Sequence, residues 1–139
     1  MPHLYLALSH PTPQALDLPL LAQELTALVA LELSKQHELT ALRVSLHPAQ
    51  DWFIGAQALQ QEASYHLVVQ ITAGTNSEAQ NAQFIEAAHH LLCRCLGAVA
   101  TASYVVLQDL DAASWGYSGH TQAARHHAST LRASRLKSM

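Results

Sequence analysis

Charge is scarce in this chain of 139 residues: Asp, Glu, Lys and Arg together make up 12%, and the formal net charge is −3. Such a balance leaves no electrostatic footprint for a nucleic-acid partner. Long apolar runs are missing too. None reaches the roughly 18 residues that a spanning helix requires, and no basic stretch followed by an apolar one marks a secretory signal. The expectation is a soluble, cytoplasmic protein with neither membrane nor nucleic acid as partner. Cysteine is limited to Cys93 and Cys95. Two positions apart on a helix they point to different faces, which argues against a disulfide. His89 and Cys93 are spaced i,i+4 and could present two ligands on one helix face. No second ligand pair at zinc-like spacing accompanies them, so no metal site is expected.

Apolar residues, by contrast, make up 50% of the chain. That is too apolar for disorder, and the length suits one domain with a real core. Charge is unevenly placed. Residues 1–119 carry a balance of −7, whereas residues 120–139 hold Arg125, Arg132, Arg135 and Lys137 with no acid, a balance of +4. The tail therefore reads as a separate basic arm, mobile or docked.

Residues 2–8 form a short apolar run that reads as a strand. Asp17 as cap and Pro19 in the first turn open a helix. Its buried side holds Leu21, Leu25, Leu28 and Val29, and it runs to about Ser34. Thr40, Leu42, Val44 and Leu46 alternate with Ala41, Arg43, Ser45 and His47 as a half-buried strand. Residues 48–63 connect irregularly, with room for a short hairpin. Leu67, Val69, Ile71 and Ala73 mark a third strand. Ser77 and Gln80 are spaced as a capping box for a second helix, whose buried face is assigned to Ile85, Ala88, Leu92 and Cys95. Gly97 closes it. Tyr104 to Leu107 form a fourth strand, and Trp115 to Gly119 a loop or small hairpin.

The order is thus strand, helix, strand, Trp/Gly loop, twice over, an internal repeat of about 60 residues. Each unit is a β-α-β crossover with parallel strands. The fold class is α/β (α+β): a four-stranded mixed sheet with two helices on one face. The other face is expected to be apolar and bare, and so to need a partner, most simply further copies of the chain.

Position two carries the chemistry. Removal of Met1 from Met1-Pro2 would leave Pro2 as a secondary amine. An α-amino group titrates near 7.7–8.0 in model peptides, and burial or nearby positive charge lowers that value. A terminal Pro2 can therefore act as a neutral base, held by its ring and the strand behind it. A proline tolerated at a strand start is the plain alternative.

In this arrangement the chain resembles the tautomerase superfamily, most closely its macrophage migration inhibitory factor-like branch. The resemblance rests on Met1-Pro2, Pro11, Lys35 leading into Ala41, Ala73-Gly74, Ala79-Gln80-Asn81, Tyr104, Asp109, Ala112-Ala113, Gly116 and Gly119. The opening Met1-Pro2-His3 and Asp17-Leu18-Pro19 also look like carboxymethyl-hydroxymuconate isomerases. The resemblance covers about residues 2–121. It divides the chain into a tautomerase-like domain, 1–121, and a basic C-terminal tail, 122–139.

What the resemblance implies is a cofactor-independent keto–enol tautomerase, assembled as a homotrimer with sites at subunit interfaces. Pro2 would shuttle the proton, and Lys35 with the backbone N–H of Ala73 would stabilise the oxyanion. Tyr104 would come from a neighbouring subunit. Arg43 and Trp115 are candidate substrate-binding residues. Each has a plainer role: Lys35 as a helix C-terminal charge, Tyr104 as a strand tyrosine with a wet hydroxyl, Arg43 as a solvated or interface charge, Trp115 as packing. Branches acting on dicarboxylates, haloacrylates and muconates have arginine where this chain has Thr75. Diacids and dehalogenation therefore fit poorly, and a 2-oxo monoacid such as an arylpyruvate held by Lys35 fits better. Two other functions suit the same fold: a non-catalytic trimeric binding or signalling protein, and a Pro-dependent hydratase or decarboxylase. The tail leaves the chain near the expected pocket mouth, where its charge would draw in anionic substrates.

Overall fold

A computed structural model describes residues 2–138. Met1, on whose removal a free Pro2 depends, lies outside the described residues. Strand β1 (His3–Ser9) leads through a proline-containing turn into α1 (Leu18–Leu33), and β2 (Ala41–Leu46) completes the first crossover. A small hairpin follows, β3 (Phe53–Ile54) with β4 (Gln57–Ala58). The second crossover is β5 (Ser64–Thr72), α2 (Glu78–Leu96) and β6 (Tyr104–Leu110). A second hairpin, β7 (Gly116–Tyr117) with β8 (His120–Thr121), leads directly into α3 (Gln122–Lys137).

The main sheet has the order β2-β1-β5-β6. β1 pairs with β2 and β5 with β6 in parallel, while β1 and β5 run antiparallel and join the two repeats at the centre. Local chemistry sets the helix boundaries. The Asp17 side chain accepts from the Leu20 N–H with Pro19 in the first turn. Ser77 and Gln80 form a complete capping box, each side chain satisfying the other's backbone N–H. Both repeats end in two-residue hairpins whose central residues have positive φ: Gly55 and Ala56 in the first, Ser118 and Gly119 in the second. That geometry matches the twist of the flanking strands. At Gly116 a Cβ would collide with the His120 carbonyl, so only glycine fits the second hairpin.

Strand alternation builds the core. Leu4, Leu6 and Leu8 of β1 and Leu67, Val69 and Ile71 of β5 face Leu21, Leu25, Val29 and Leu33 of α1. Phe84, Ala88, Leu91, Leu92 and Leu96 of α2 complete it. Here the expected face of α2 needs correction. Ala88 and Leu92 are buried as expected, but Phe84 is fully enclosed while Ile85 is 40% exposed and Cys95 only partly covered. The stripe keeps Ala88 and Leu92 but takes in Phe84, Leu91 and Leu96 in place of Ile85 and Cys95, so its centre shifts by a fraction of a turn.

The helix-free face also differs from expectation: it is a polar mosaic, not a bare apolar surface. His3 hydrogen-bonds Gln70 (3.1 Å), whose amide donates to Gln108 (3.0 Å). The Tyr5 hydroxyl pairs with Ser45 (2.8 Å), and the Arg43 guanidinium lies over the Tyr5 ring at 4.7 Å. The cause is the two-residue period. Positions alternating with the buried leucines and valines carry His3, Tyr5, Arg43, Gln70 and Gln108 beside Ala7, Val68 and Val106, and the register sets them side by side. No helix of the described residues is long and apolar enough to cross a membrane.

Candidate active site

The end of α1 and the end of β5 meet at one edge of the molecule. Ser34 takes a left-handed conformation (φ 55°) and turns the chain out of α1. Lys35, next in sequence, reaches across to β5, and its Nζ donates to Thr75 Oγ1 at 2.9 Å. Thr75 Oγ1 in turn donates to the Thr72 carbonyl at 2.6 Å. Asn76 Nδ2 donates to the Leu33 carbonyl at 2.9 Å, which closes the last turn of α1 from the loop that opens α2. The half-buried Lys35 ammonium is pushed below the usual lysine range by loss of water, an effect that Asp109 partly offsets.

Thr72, Ala73, Gly74 and Lys35 form one wall of a cleft of about 650 Å³. Tyr117 of the second hairpin and Gln122 and Arg125 of α3 line the same cleft. Two backbone hydrogen bonds anchor the start of α3: Gln122 N to the Trp115 carbonyl and Ala123 N to the Ala112 carbonyl, both 2.9 Å. Arg125 turns back toward the hairpin. Its Nη2 donates to the Tyr117 carbonyl at 2.8 Å, and its guanidinium stacks 3.7 Å above the Tyr117 ring. The tail is therefore a capped helix whose opening turn lines the cleft. Thr121 supplies the cap by accepting from the Ala124 N–H.

Pro2 is buried just ahead of β1, and its carbonyl accepts from Ala41 N at 3.4 Å. Since His3 lies opposite Gln70, Pro2 sits at the end of the sheet where β5 finishes at Thr72. Pro2, Lys35 and Ala73 thus share one end of the fold. The Ala73 N–H, expected to be a free oxyanion donor, donates instead to the Leu110 carbonyl at 2.8 Å. A backbone amide has a single hydrogen, so this donor is already engaged by the sheet as it runs on past β5. Trp115 packs behind Thr72, its indole N–H donating to Thr72 Oγ1 at 3.1 Å, and lies outside the cleft lining. Arg43 is held over Tyr5 on the helix-free face, away from the cleft.

Tyr104 lies at the other end of the sheet. It pairs with His66, whereas Leu110 of the same strand pairs with Thr72. Six residues of strand separate these positions, about 20 Å. Tyr104 is 61% exposed and lines separate clefts with Ile54 and Phe53 of the first hairpin. Within one chain it does not meet Lys35.

Among the described residues no three His, Cys, Asp or Glu side chains gather around a point that could hold a metal ion. His89 Nδ1 is bonded to the buried Tyr65 hydroxyl at 2.7 Å, with Cys93 Sγ 3.4 Å from His89 Nε2. Gln122, Arg125 and Tyr117 are the cleft residues that sequence reasoning missed. The available signal was the capping threonine directly after the Trp/Gly hairpin, which places Arg125 one turn into a helix.

Residues 66–125 match the family model for tautomerase enzymes. The match begins in β5 and reaches the opening turn of α3, four residues beyond Thr121. No curated protein matches the chain by sequence. The fold is that of solved tautomerase-superfamily structures. Pt0534 inactivated by 2-oxo-3-pentynoate superposes with a TM-score of 0.76 at 16% identity, covering 88% of this chain and 98% of that one. Native fused 4-OT gives 0.74 at 20% identity, covering 88% and 97%. A macrophage migration inhibitory factor-like protein from Entamoeba histolytica gives 0.69 at 16% identity, covering 86% and 97%. The resemblance to the tautomerase superfamily is borne out by sequence over residues 66–125, and the fold, shared with the macrophage migration inhibitory factor-like protein, extends over nearly the whole chain.

Proposed function

We propose that this protein is a cofactor-independent keto–enol tautomerase acting on a small 2-oxo acid with an apolar or aromatic tail, such as an arylpyruvate. Pro2, freed by loss of Met1, takes the proton from the carbon beside the carbonyl and returns it to the other end of the enol. Lys35 holds the oxygen on which negative charge develops, the kind of fixed cation that acts most strongly away from water. The observation that carries the reading is the position of Lys35. It is a half-buried ammonium on a cleft wall, at the same end of the sheet as Pro2. Pt0534 is inactivated by a 2-oxo acid, which supports that substrate class.

In this reading the working unit is a homotrimer, in keeping with the fused 4-OT symmetric trimer of the same fold. A neighbouring subunit would bring Tyr104 to the cleft, which its distance from Lys35 within one chain requires. The two free thiols, Cys93 and Cys95, suit the reducing cytoplasm.

The test compares mature protein with Pro2→Ala on the enol and keto forms of phenylpyruvate, after intact mass has established loss of Met1. Pro2→Ala should lower the rate by about 10²-fold or more, the contribution of a positioned acid–base group. Equal rates would remove Pro2 from the mechanism. Retention of Met1 would leave its nitrogen an amide and defeat the reading outright.

A further inference from the structure

Two cations and no acid line the cleft. Lys35 comes from the end of α1 and Arg125 from α3, and no Asp or Glu lines it among the described residues. Asp109 lies near enough to influence Lys35 but is not part of the lining. His126 and His127 continue the α3 wall. Two donors in this wall are buried and unmatched: Arg125 Nε and Gln122 Nε2 have no acceptor among the described residues. A buried donor without an acceptor costs free energy, so an acceptor that comes within reach of either atom is favoured.

Both donors are held in place. The Arg125 guanidinium is clamped by its stacking on Tyr117 and its bond to the Tyr117 carbonyl. Clamping fixes the plane of a fork that matches a carboxylate. Gln122 is pinned through its own backbone N–H to Trp115. Preorganised donors lose less freedom when they bind.

We propose that Arg125 and Gln122, from the opening turn of α3, bind the carboxylate of a 2-oxo monocarboxylic substrate in the cleft that Lys35 also lines. This rests on the tautomerase reading for the identity of the substrate, though not for the existence of the anion site. It divides the work. Arg125 and Gln122 hold the acid group and set the orientation, which leaves Lys35 for the carbonyl oxygen one carbon away. It also supplies the arginine that Thr75 does not.

The test is binding without turnover. Calorimetry follows 3-phenylpropionate, an unreactive monoacid, with 3-phenylpropionamide and inorganic phosphate as companions. The proteins are wild type, Arg125→Ala, Arg125→Lys and Gln122→Glu. Arg125→Ala should weaken 3-phenylpropionate roughly tenfold or more, as expected for loss of a charge-assisted pair. Arg125→Lys should recover part of that, and the amide should bind all four proteins alike. Gln122→Glu keeps the shape, adds a like charge and should weaken the acid at least as much. If Arg125→Ala loses α3 by circular dichroism, Gln122→Glu decides the matter. Binding of the acid within twofold of wild type in Gln122→Glu overturns the proposal, as does phosphate binding more tightly than the acid, or no binding to wild type at millimolar concentration. Since no step needs Pro2, a null effect of Pro2→Ala would sink the tautomerase reading and leave this site standing.

Discussion

Replacing Lys35 by alanine should separate catalysis from stability. The Nζ makes one hydrogen bond, to Thr75, and carries a charge that the cleft partly strips of water. If that charge holds the substrate oxyanion, its loss removes a hydrogen bond to a charged group, worth about 1.5–3 kcal/mol. At about 1.4 kcal/mol per decade, kcat/KM should fall roughly 10- to 150-fold. Stability should move little, because the lost bond to Thr75 is offset by relief of the desolvated charge. The direction of the pKa shift carries the same argument into pH. Lys35 gives up its proton more readily folded than unfolded. Between its lowered value and the ordinary 10.5 the unfolded chain therefore binds more protons, and Lys35's contribution to stability rises with pH across that window. Activity should move the other way, declining as pH rises through the lowered value while Lys35 becomes neutral. Lys35→Arg, which stays protonated, should push that decline to higher pH. The assay is phenylpyruvate ketonisation across pH beside thermal unfolding of the same proteins. A Lys35→Ala protein with unchanged kcat/KM and a melting temperature lowered by roughly 5 °C or more would make Lys35 a structural residue and refute the reasoning.

Two further outcomes follow from the fold. Phe84→Ala should destabilise by about 3–5 kcal/mol, the cost of emptying a fully enclosed aromatic site, while Ile85→Ala should cost under about 1 kcal/mol. Chemical denaturation of the two variants checks the corrected face of α2, and equal losses would restore the face read from the sequence. Light scattering at micromolar concentration should give the mass of a trimer. A monomer there would leave Tyr104 stranded about 20 Å of strand from the cleft end and would remove it from the site.

The features legible in the sequence are those written in neighbouring residues. The leucines of β1, the Leu67-Val69-Ile71 alternation, the Asp17 cap and the Ser77–Gln80 box each involve partners within a few positions, and each is found as expected. The character of the helix-free face was not legible. Tyr5 with Ser45, and His3 with Gln70 and Gln108, become partners only once register is set between strands far apart in sequence. Phe84 and Ile85 are adjacent and both apolar, and the period alone does not decide which of the two faces inward. α3 was hidden for another reason. It buries no residue, so it has no apolar stripe for periodicity to detect. It depends on the Thr121 cap and on Arg125 folding back onto Tyr117, neither of which composition reveals.

That concealment bears on chemistry. An arginine in place of Thr75 would add a third cation to a cleft already lined by Lys35 and Arg125, and like charges in one partly dry cleft repel strongly. A small hydroxyl avoids this and does two jobs. It accepts from Lys35 and donates to the Thr72 carbonyl, so the lysine is tied to the end of the central strand and kept from drifting toward solvent. The second cation, Arg125, lines the same cleft from a helix anchored to the hairpin by two backbone bonds and by a guanidinium stacked on Tyr117. α3 needs no apolar face at its start, because its opening turn is fixed to the hairpin by polar contacts alone: the Gln122 and Ala123 amides to the Trp115 and Ala112 carbonyls, and Arg125 to the Tyr117 carbonyl.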